Sequence, residues 1–340
     1  MPRMKAVQIH RFGAEDAMQL DEVDIPTPEP RQMVIKIAAT SINHSDLFIR
    51  QNGNIHIGPR DLPLILGREL AGTVVEVGSN VAEFAPGQRV VALPAVQTRA
   101  TGLPGSKEYT GCYAEYSLAR PQDARPLPDG IDWVTGAATP WAALTAWHVL
   151  AAARIKPGDS VFIQSGASGV GTFAVQFAKI LGARVFTTAG SAEKCRRVAA
   201  LGADAAINYR ETDFAGELMR LTAGRGVDAA VETVGGDALE KTLGALAPGG
   251  RLIALGSLSG GSRELPRSLP DGRTASRFSI TAFLMEETRA IEQLDQIFEW
   301  ILAGRVKVSV DRVFALADAA MAHRYIAERR NFGKVVLTTG

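Results

Sequence analysis

The stretch "SVFIQSGASGVGTFAVQFAK", Ser160–Lys179, reads as a short apolar strand, a glycine turn and a helix. Val170, Ala174, Phe177 and Leu181 recur at helical spacing and give that helix one apolar face. Gly166, Gly169 and Gly171 sit at the strand-to-helix junction, where glycine lets backbone approach a ligand and the first helical amides favour an anion. The spacing departs from G-x-G-x-x-G, because Ser168 stands at the middle glycine with Gly169 and Val170 after it. Any tight turn can use glycine, so the surroundings decide. Downstream, "RVFTTAG", "AAINYR", "VDAAVETVG" and "RLIALGS" alternate with helical segments such as "SAEKCRRVAALGA" and "DALEKTLGALAPG". Five apolar strands separated by helices predict an α/β doubly wound parallel sheet, and the glycine turn at its first strand predicts a bound dinucleotide.

An NAD site usually carries Asp or Glu at the end of the second strand, on the ribose diol. Here the stretch is "TTAGSAEKC", small and neutral where the acid belongs. Glu193 comes late and reads as a first-turn helix acid held by the dipole. Lys194, with Ser191 before it, can neutralise a 2′-phosphate, and Tyr209 can stack on adenine or bond that phosphate. The plainer alternatives are a solvated helix lysine and a tyrosine packing at a strand end. The absent acid favours NADPH over NADH.

Working outward, residues up to about Arg125 hold Val- and Ile-rich runs punctuated by Gly and Pro, the signature of short strands. "RPLPDGIDW" marks a boundary. Past Ser257, the polar "SGGSRELPRSLPDGRTAS" reads as a surface loop, "RFSITAFLM" as a strand, "AIEQLDQIFEWILAG" as a helix, and "AAMAHRYIAERRNFGKVVLT" as helix, turn and strand. The 340 residues, 46% hydrophobic and 21% charged with a net charge of +1, suit a soluble globular protein of two domains and give no steering towards nucleic acid or membrane. The start has no apolar leader segment, and Cys112 and Cys195 lie far apart, which fits a reducing cytoplasm. Neither the two cysteines nor the five histidines fall at metal-ligand spacings, so no metal site is expected.

Taken together, "MKAVQIHRFG", "SINHSDLFIRQ", "LGRELAGTVVEVGSNV", "GCYAEYSLA", "PWAALTAWHVL", "SGASGVGTFAVQFAKILGARV", "LGADAAINYR" and "NFGKVVL" are landmarks in order along nearly the whole chain. The sequence resembles the medium-chain dehydrogenase/reductases, in their zinc-free quinone oxidoreductase (zeta-crystallin-like) branch. The resemblance implies a GroES-like β-rich catalytic domain from both chain ends, 1–126 and 275–340. It implies an inserted Rossmann NADPH-binding domain over 127–274, a cleft between the two, and a homodimer.

In zinc-dependent alcohol dehydrogenases that resemble this chain, the stretch matching "LGRELAG" carries a zinc-binding histidine before the glutamate. Here Arg68 stands there, no cysteine occurs near Asn43 or Pro140, and "VQTRATGLPGSKEYTG" replaces the structural-zinc lobe. Arg68 and Glu69, two charges in an apolar run, are then expected to form an ion pair or a hydrogen-bonded structural group near the cleft floor, with a substrate role for Arg68 as the alternative. By the same match Asn43 lines the nicotinamide site and donates to the acceptor oxygen, and Thr145 and Asn331 hold the nicotinamide or its ribose. Phe283 packs nearby, and Val234, after the fourth strand, belongs to the cofactor site. Asn43 and Thr145 are the catalytic candidates. Asp46 is expected to orient the "NHSD" turn, and His44 to be a surface or packed turn residue.

Without a metal, an isolated ketone lacks a strong partner for its developing alkoxide, whereas a quinone or enone spreads the charge itself. The expected activity is therefore NADPH-dependent reduction of a quinone or activated alkene. The alternatives are a non-catalytic, crystallin-like NADPH-binding protein and an alcohol dehydrogenase. Relatives that reduce enoyl thioesters carry a tyrosine acid after the first segment, and "LFIRQNGNIHIGPRD" has none. Tyr109 and Tyr113 are the possible substitutes, and Val96 to Thr110 the expected lid.

Overall fold

Runs of β-branched and apolar residues cut by glycine and proline form strands, as their composition dictates. The computed structural model describes residues 2–54, 57–94, 111–256, 264–287 and 289–340. The chain opens with β1 (Arg3–Ile9), β2 (Met18–Asp24), β3 (Met33–Ile42) and α1 (His44–Asn52). Next come β4 (Leu64–Ile65), β5 (Leu70–Val77), β6 (Arg89–Ala92), β7 (Tyr116–Ala119), β8 (Ala124–Pro126), α2 (Trp133–Ala137) and α3 (Pro140–Ala152). Strand and helix then alternate through β9 (Ser160–Ile163), α4 (Gly169–Ile180), β10 (Arg184–Ala189), α5 (Ala192–Ala199) and β11 (Ala205–Asn208). The alternation continues in α6 (Phe214–Leu221), β12 (Val227–Glu232), α7 (Asp237–Gly244) and β13 (Leu246–Ala254). The last elements are β14 (Thr274–Arg277), α8 (Ile280–Glu286), α9 (Gln293–Leu302), β15 (Val310–Ala315), α10 (Ala319–Ala327) and β16 (Lys334–Thr338).

The chain divides into two compact units, Met1–Trp141 with Leu284–Gly340, and Ala142–Phe283. The bounds lie further along than 126 and 275 because α2 packs on β3 and β5, and β14 joins the sheet of the second unit.

In the second unit a six-stranded sheet has the order β11-β10-β9-β12-β13-β14, with every pair parallel. The first strand in sequence lies inside and the order reverses beside it, which is the doubly wound dinucleotide-binding arrangement. β9 is buried along its whole length, as a parallel strand covered on both faces must be. Phe162 stacks on Phe214 with centroids 5.4 Å apart, and Phe186, Ile207, Leu218 and Leu252 complete that core.

Two expectations are corrected here. A sixth strand, β14, lies in the stretch read as a surface loop, because an exposed edge strand has no need of an apolar sequence. "ITAFLM" is helical, not extended: pairing with β13 ends at Arg277 opposite Ala254, and Ser279 starts α8 by accepting from Ala282 N–H (3.3 Å) and Phe283 N–H (2.9 Å).

In the first unit β3 is the spine. It pairs with β5, β7 and β16, the last contributed by the far end of the sequence. Ile42 lies opposite Val335 and Thr40 opposite Leu70. That register sets Lys334, Asn43 and Glu69 side by side where the three strands end, and their side chains are bonded to one another there.

Candidate active site

The glycine turn of the second unit is built tightly. Ser165 adopts φ 56°, a strained value for a residue with a side chain. A Cβ on Gly171 would sit 2.2 Å from the Ser165 carbonyl oxygen, so α4 can begin this close to the turn only through glycine. Ser168 caps α4 by accepting from Gly171 N–H at 3.0 Å. Among the described residues no acceptor meets the Gly169 and Val170 amides, which leaves two donors and the positive helix end for an anion. Gly166 donates its N–H to the Thr188 carbonyl (2.9 Å) and fixes the turn on β10. Across the sheet, Glu232 accepts from Val234 N–H (2.8 Å) and Gly235 N–H (2.7 Å), while Gln164 accepts from Val234 N–H at 3.3 Å. These bonds hold the loop after β12 beside the turn, and burial raises the Glu232 carboxyl above its ordinary range.

Ser191, Lys194 and Tyr209 gather where β10 and β11 end. Ser191 caps α5 by accepting from Lys194 N–H at 3.2 Å, and Tyr209 donates its N–H to the Ala189 carbonyl at 3.2 Å. A Cβ on Gly190 would stand 2.8 Å from the Tyr209 hydroxyl oxygen. The tyrosine thus occupies the room that an acidic side chain would need. In the same unit Thr145 is buried on α3, and Phe283 on α8 packs its ring 4.6 Å from His148 and 5.6 Å from Phe278.

The first unit holds a buried polar network around Asn43, the residue before α1. Lys334 donates to Asn43 Oδ1 (2.7 Å), to Glu69 Oε1 (3.0 Å) and to the Ile42 carbonyl (3.3 Å). Asn43 Nδ2 donates to Glu69 Oε1 at 2.8 Å, and Ser41 donates to the same oxygen. Glu69 Oε2 accepts from Trp141 N–H (2.6 Å), so the carboxylate also sits on the N-terminus of α3. Because Asn43 Oδ1 faces an ammonium, the orientation of its amide is determined. One Asn43 N–H is left without an acceptor among the described residues.

A second line of bonds reaches Asp46 from below. Arg50 donates to His323 Nδ1 at 3.1 Å and pairs with Glu15 at 2.8 Å. Arginine cannot accept, so the proton of His323 is on Nε2 and is donated to Tyr113 Oη at 3.1 Å. Tyr113 donates in turn to Asp46 Oδ2 (3.2 Å), which also accepts from Asn43 N–H at 2.9 Å. Asp46 therefore holds the "NHSD" turn. Burial pushes the Asp46 carboxyl up to about 6 despite the Arg68 charge, and burial with the Arg50 charge drives the His323 imidazole down to about 3.

Two expectations change. Arg68 and Glu69 are not partners: Glu69 pairs with Lys334, whereas Arg68 approaches Asp46 at 3.7 Å and lies over the Trp141 ring. Arg68 lies in a bend ahead of β5, and the two adjacent side chains take different partners. Tyr113 is fully buried with its hydroxyl committed to Asp46 and His323, which removes it as a proton donor to substrate. Tyr109 and the expected lid at 96–110 lie outside the described residues. Asn331 turns its amide to the Gly333 carbonyl (2.8 Å), bracing the turn into β16. His44 is exposed at the start of α1. Sequence reading missed Lys334, Arg50 and His323. A lysine inside the apolar "GKVVL" was the available signal for the first.

No group of three or more His, Cys, Asp or Glu side chains among the described residues is arranged to hold a metal ion, and no helix among them is long and apolar enough to cross a membrane.

Residues 29–129 match the family described as "Alcohol dehydrogenase GroES-like domain", and residues 201–337 match "Zinc-binding dehydrogenase". The chain is 31% identical to a 2-haloacrylate reductase of Burkholderia sp, with 98% of each covered. It is 30% identical to a quinone oxidoreductase of Pseudomonas aeruginosa, with 98% of this chain and 99% of that protein covered. It is also 32% identical over 98% of its length to a phenolphthiocerol/phthiocerol polyketide synthase of Mycobacterium tuberculosis, spanning 15% of that much longer protein. Among solved structures, an NAD-dependent alcohol dehydrogenase superposes with TM-score 0.87 at 33% identity, covering 99% of this chain and all (100%) of that one. The Escherichia coli quinone oxidoreductase complexed with NADPH superposes with TM-score 0.88 at 28% identity, covering 98% of this chain and 100% of that one. The chain belongs to the medium-chain dehydrogenase/reductase superfamily, in its zinc-free quinone oxidoreductase branch.

Proposed function

We propose that this chain is an NADPH-dependent, zinc-independent reductase that delivers hydride to a quinone or an α,β-unsaturated carbonyl compound. The observation that carries the reading is Asn43, whose amide is locked by Lys334 and Glu69 with one N–H left to donate. A single neutral donor serves an acceptor that spreads its own charge and serves an isolated alkoxide poorly. The position matching a zinc-binding histidine is a cationic arginine, Arg68, which cannot ligate a metal.

NADPH, when bound, supplies the hydride. Its pyrophosphate suits the free amides of Gly169 and Val170 behind Gly166 and Ser168, and its 2′-phosphate suits Lys194, Ser191 and Tyr209. Val234 is held beside that turn by Glu232 and Gln164. Thr145, Phe283 and Asn331 we assign to the nicotinamide and its ribose. Among the relatives, the 2-haloacrylate reductase and the quinone oxidoreductases support this acceptor class, and the NADPH complex supports the cofactor. The alcohol dehydrogenase neighbour makes an alcohol the control to run. We further assign a homodimer in the cytoplasm: the outer edge of β14 is open among the described residues, and Cys112 and Cys195 are both unbridged.

The test is steady-state NADPH oxidation with an ortho-quinone, an alkyl enone and an aliphatic ketone, and NADP reduction by a primary alcohol, each with and without chelator. Quinone or enone turnover indifferent to chelator is expected. Alcohol oxidation with inert quinone and enone overturns the reading.

A further inference from the structure

Among the described residues, Arg68 is the one member of the buried network whose donors lead nowhere. Its side chain is 12% exposed, and its Nε is buried with no hydrogen-bond partner. Within the same set the guanidinium makes no hydrogen bond; its contacts are Asp46 Oδ1 at 3.7 Å and the Trp141 ring, 5.0 Å from the centroid. A guanidinium carries five N–H donors, and a buried one left unsatisfied, here Nε–H, is costly.

The neighbouring carboxylates do not fill the need. Glu69 is saturated by Ser41, Asn43, Lys334 and the Trp141 amide, and Lys334 balances its charge. Asp46 spends Oδ2 on the Asn43 amide and the Tyr113 hydroxyl, and Oδ1 stays beyond hydrogen-bond reach of Arg68. The backbone keeps Arg68 there: Gly67 takes φ 98°, and a Cβ on it would stand 2.6 Å from the Tyr113 ring. What remains is a cation fixed on an aromatic face, lacking a planar two-oxygen acceptor, and joined to Asn43 through Asp46 and Glu69.

We infer that Arg68 is a specificity residue that receives a carboxylate group of the acceptor, so that the preferred substrates are conjugated carbonyl compounds or activated alkenes bearing a carboxylate. The inference rests on the reductase reading above and narrows its substrate class. Fork-to-fork pairing of guanidinium and carboxylate is the geometry that uses several of those donors at once.

Two acceptors of matched size test it, acetylacrylate and its neutral counterpart ethylideneacetone, with wild type, Arg68→Met and Arg68→Lys. Arg68→Met is expected to lower kcat/KM for acetylacrylate roughly ten- to a hundredfold more than for ethylideneacetone, from the usual strength of a charge-assisted bond. Arg68→Lys is expected to restore part of the difference, mainly in KM. Taking the ratio within each variant cancels the unequal reactivity of the two acceptors. Equal losses on both make Arg68 a structural residue and overturn the inference. Calorimetric titration of acetylacrylate without cofactor gives a readout independent of turnover. Binding to wild type and not to Arg68→Met upholds the inference even if neither acceptor is reduced, an outcome that instead overturns the reductase reading. No binding to wild type overturns the inference. So does a loss in Arg68→Met that falls on NADPH affinity instead, because the anion is then the cofactor's.

Discussion

Replacing Lys334 by methionine removes the cation from the buried network and leaves the shape nearly unchanged. Lys334 is 3% exposed and Glu69 0%. The substitution strips Asn43 Oδ1 of its donor and leaves the Glu69 charge without a counterion, though Ser41, Asn43 and the Trp141 amide still solvate it. Breaking a buried pair by removing one partner costs about 3–5 kcal/mol. For a unit of this size that lowers Tm on the order of 10 °C. Glu69→Gln in the same background removes the orphaned charge while keeping an amide in its place. The double variant should therefore recover at least half of the loss, with a coupling of at least about 2 kcal/mol in the cycle. Urea denaturation of wild type, both single variants and the double variant measures it. Additive destabilisation, with no recovery, would show that charge pairing between Lys334 and Glu69 is not what holds the ends of β3, β5 and β16 together.

Three further outcomes follow from the same geometry. The His323 imidazole is held down from 6.5 to about 3, so its contribution to stability is complete above pH 6.5 and is lost as pH falls; Asp46, raised from 3.8 to about 6, acts oppositely. These two contributions nearly offset each other between about pH 4 and 6, and His323→Gln should gain relative to wild type by up to about 1.4 kcal/mol per pH unit on acidification, read by urea midpoints. A parallel slope in both proteins would mean the imidazole is not buried neutral. Lys194→Ala should weaken NADPH roughly ten- to a hundredfold and NADH hardly at all in fluorescence titrations; equal weakening would make Lys194 structural. Asn43→Ala should slow enone reduction about tenfold in kcat at unchanged NADPH affinity, less than the hundredfold or more seen when an oxyanion donor is removed from an acyl-transfer site. Unaltered kcat would remove Asn43 from the chemistry.

The second unit was the more legible one. Its strands are consecutive in sequence, its crossovers are local, and the glycine turn announces the ligand, so β9 to β13 could be read directly. β14 could not, since an exposed edge strand of Thr, Ala, Ser and Arg carries no apolar signal. The first unit hid its site for a different reason. Glu69 and Lys334 meet only because β16 returns to β3, and nothing local to either residue specifies that register. Arg68 beside Glu69 invited a pairing that the bend at Arg68 does not make, and the true partner of Glu69 lies 265 residues away. Tyr113, His323 and Arg50 likewise come from three distant segments, and each alone looks like an ordinary core or surface residue.

The central claim is that hydride passes from NADPH to carbon or oxygen of a conjugated acceptor bound by this chain. Its most direct measurement is mass spectrometry of the product formed from an enone with NADPH deuterated at the transferring carbon, in ordinary water. Each product molecule should carry one deuterium, on the β carbon, with the α hydrogen drawn from solvent. A product free of deuterium, or no product alongside deuterium transfer to a simple ketone, would contradict it.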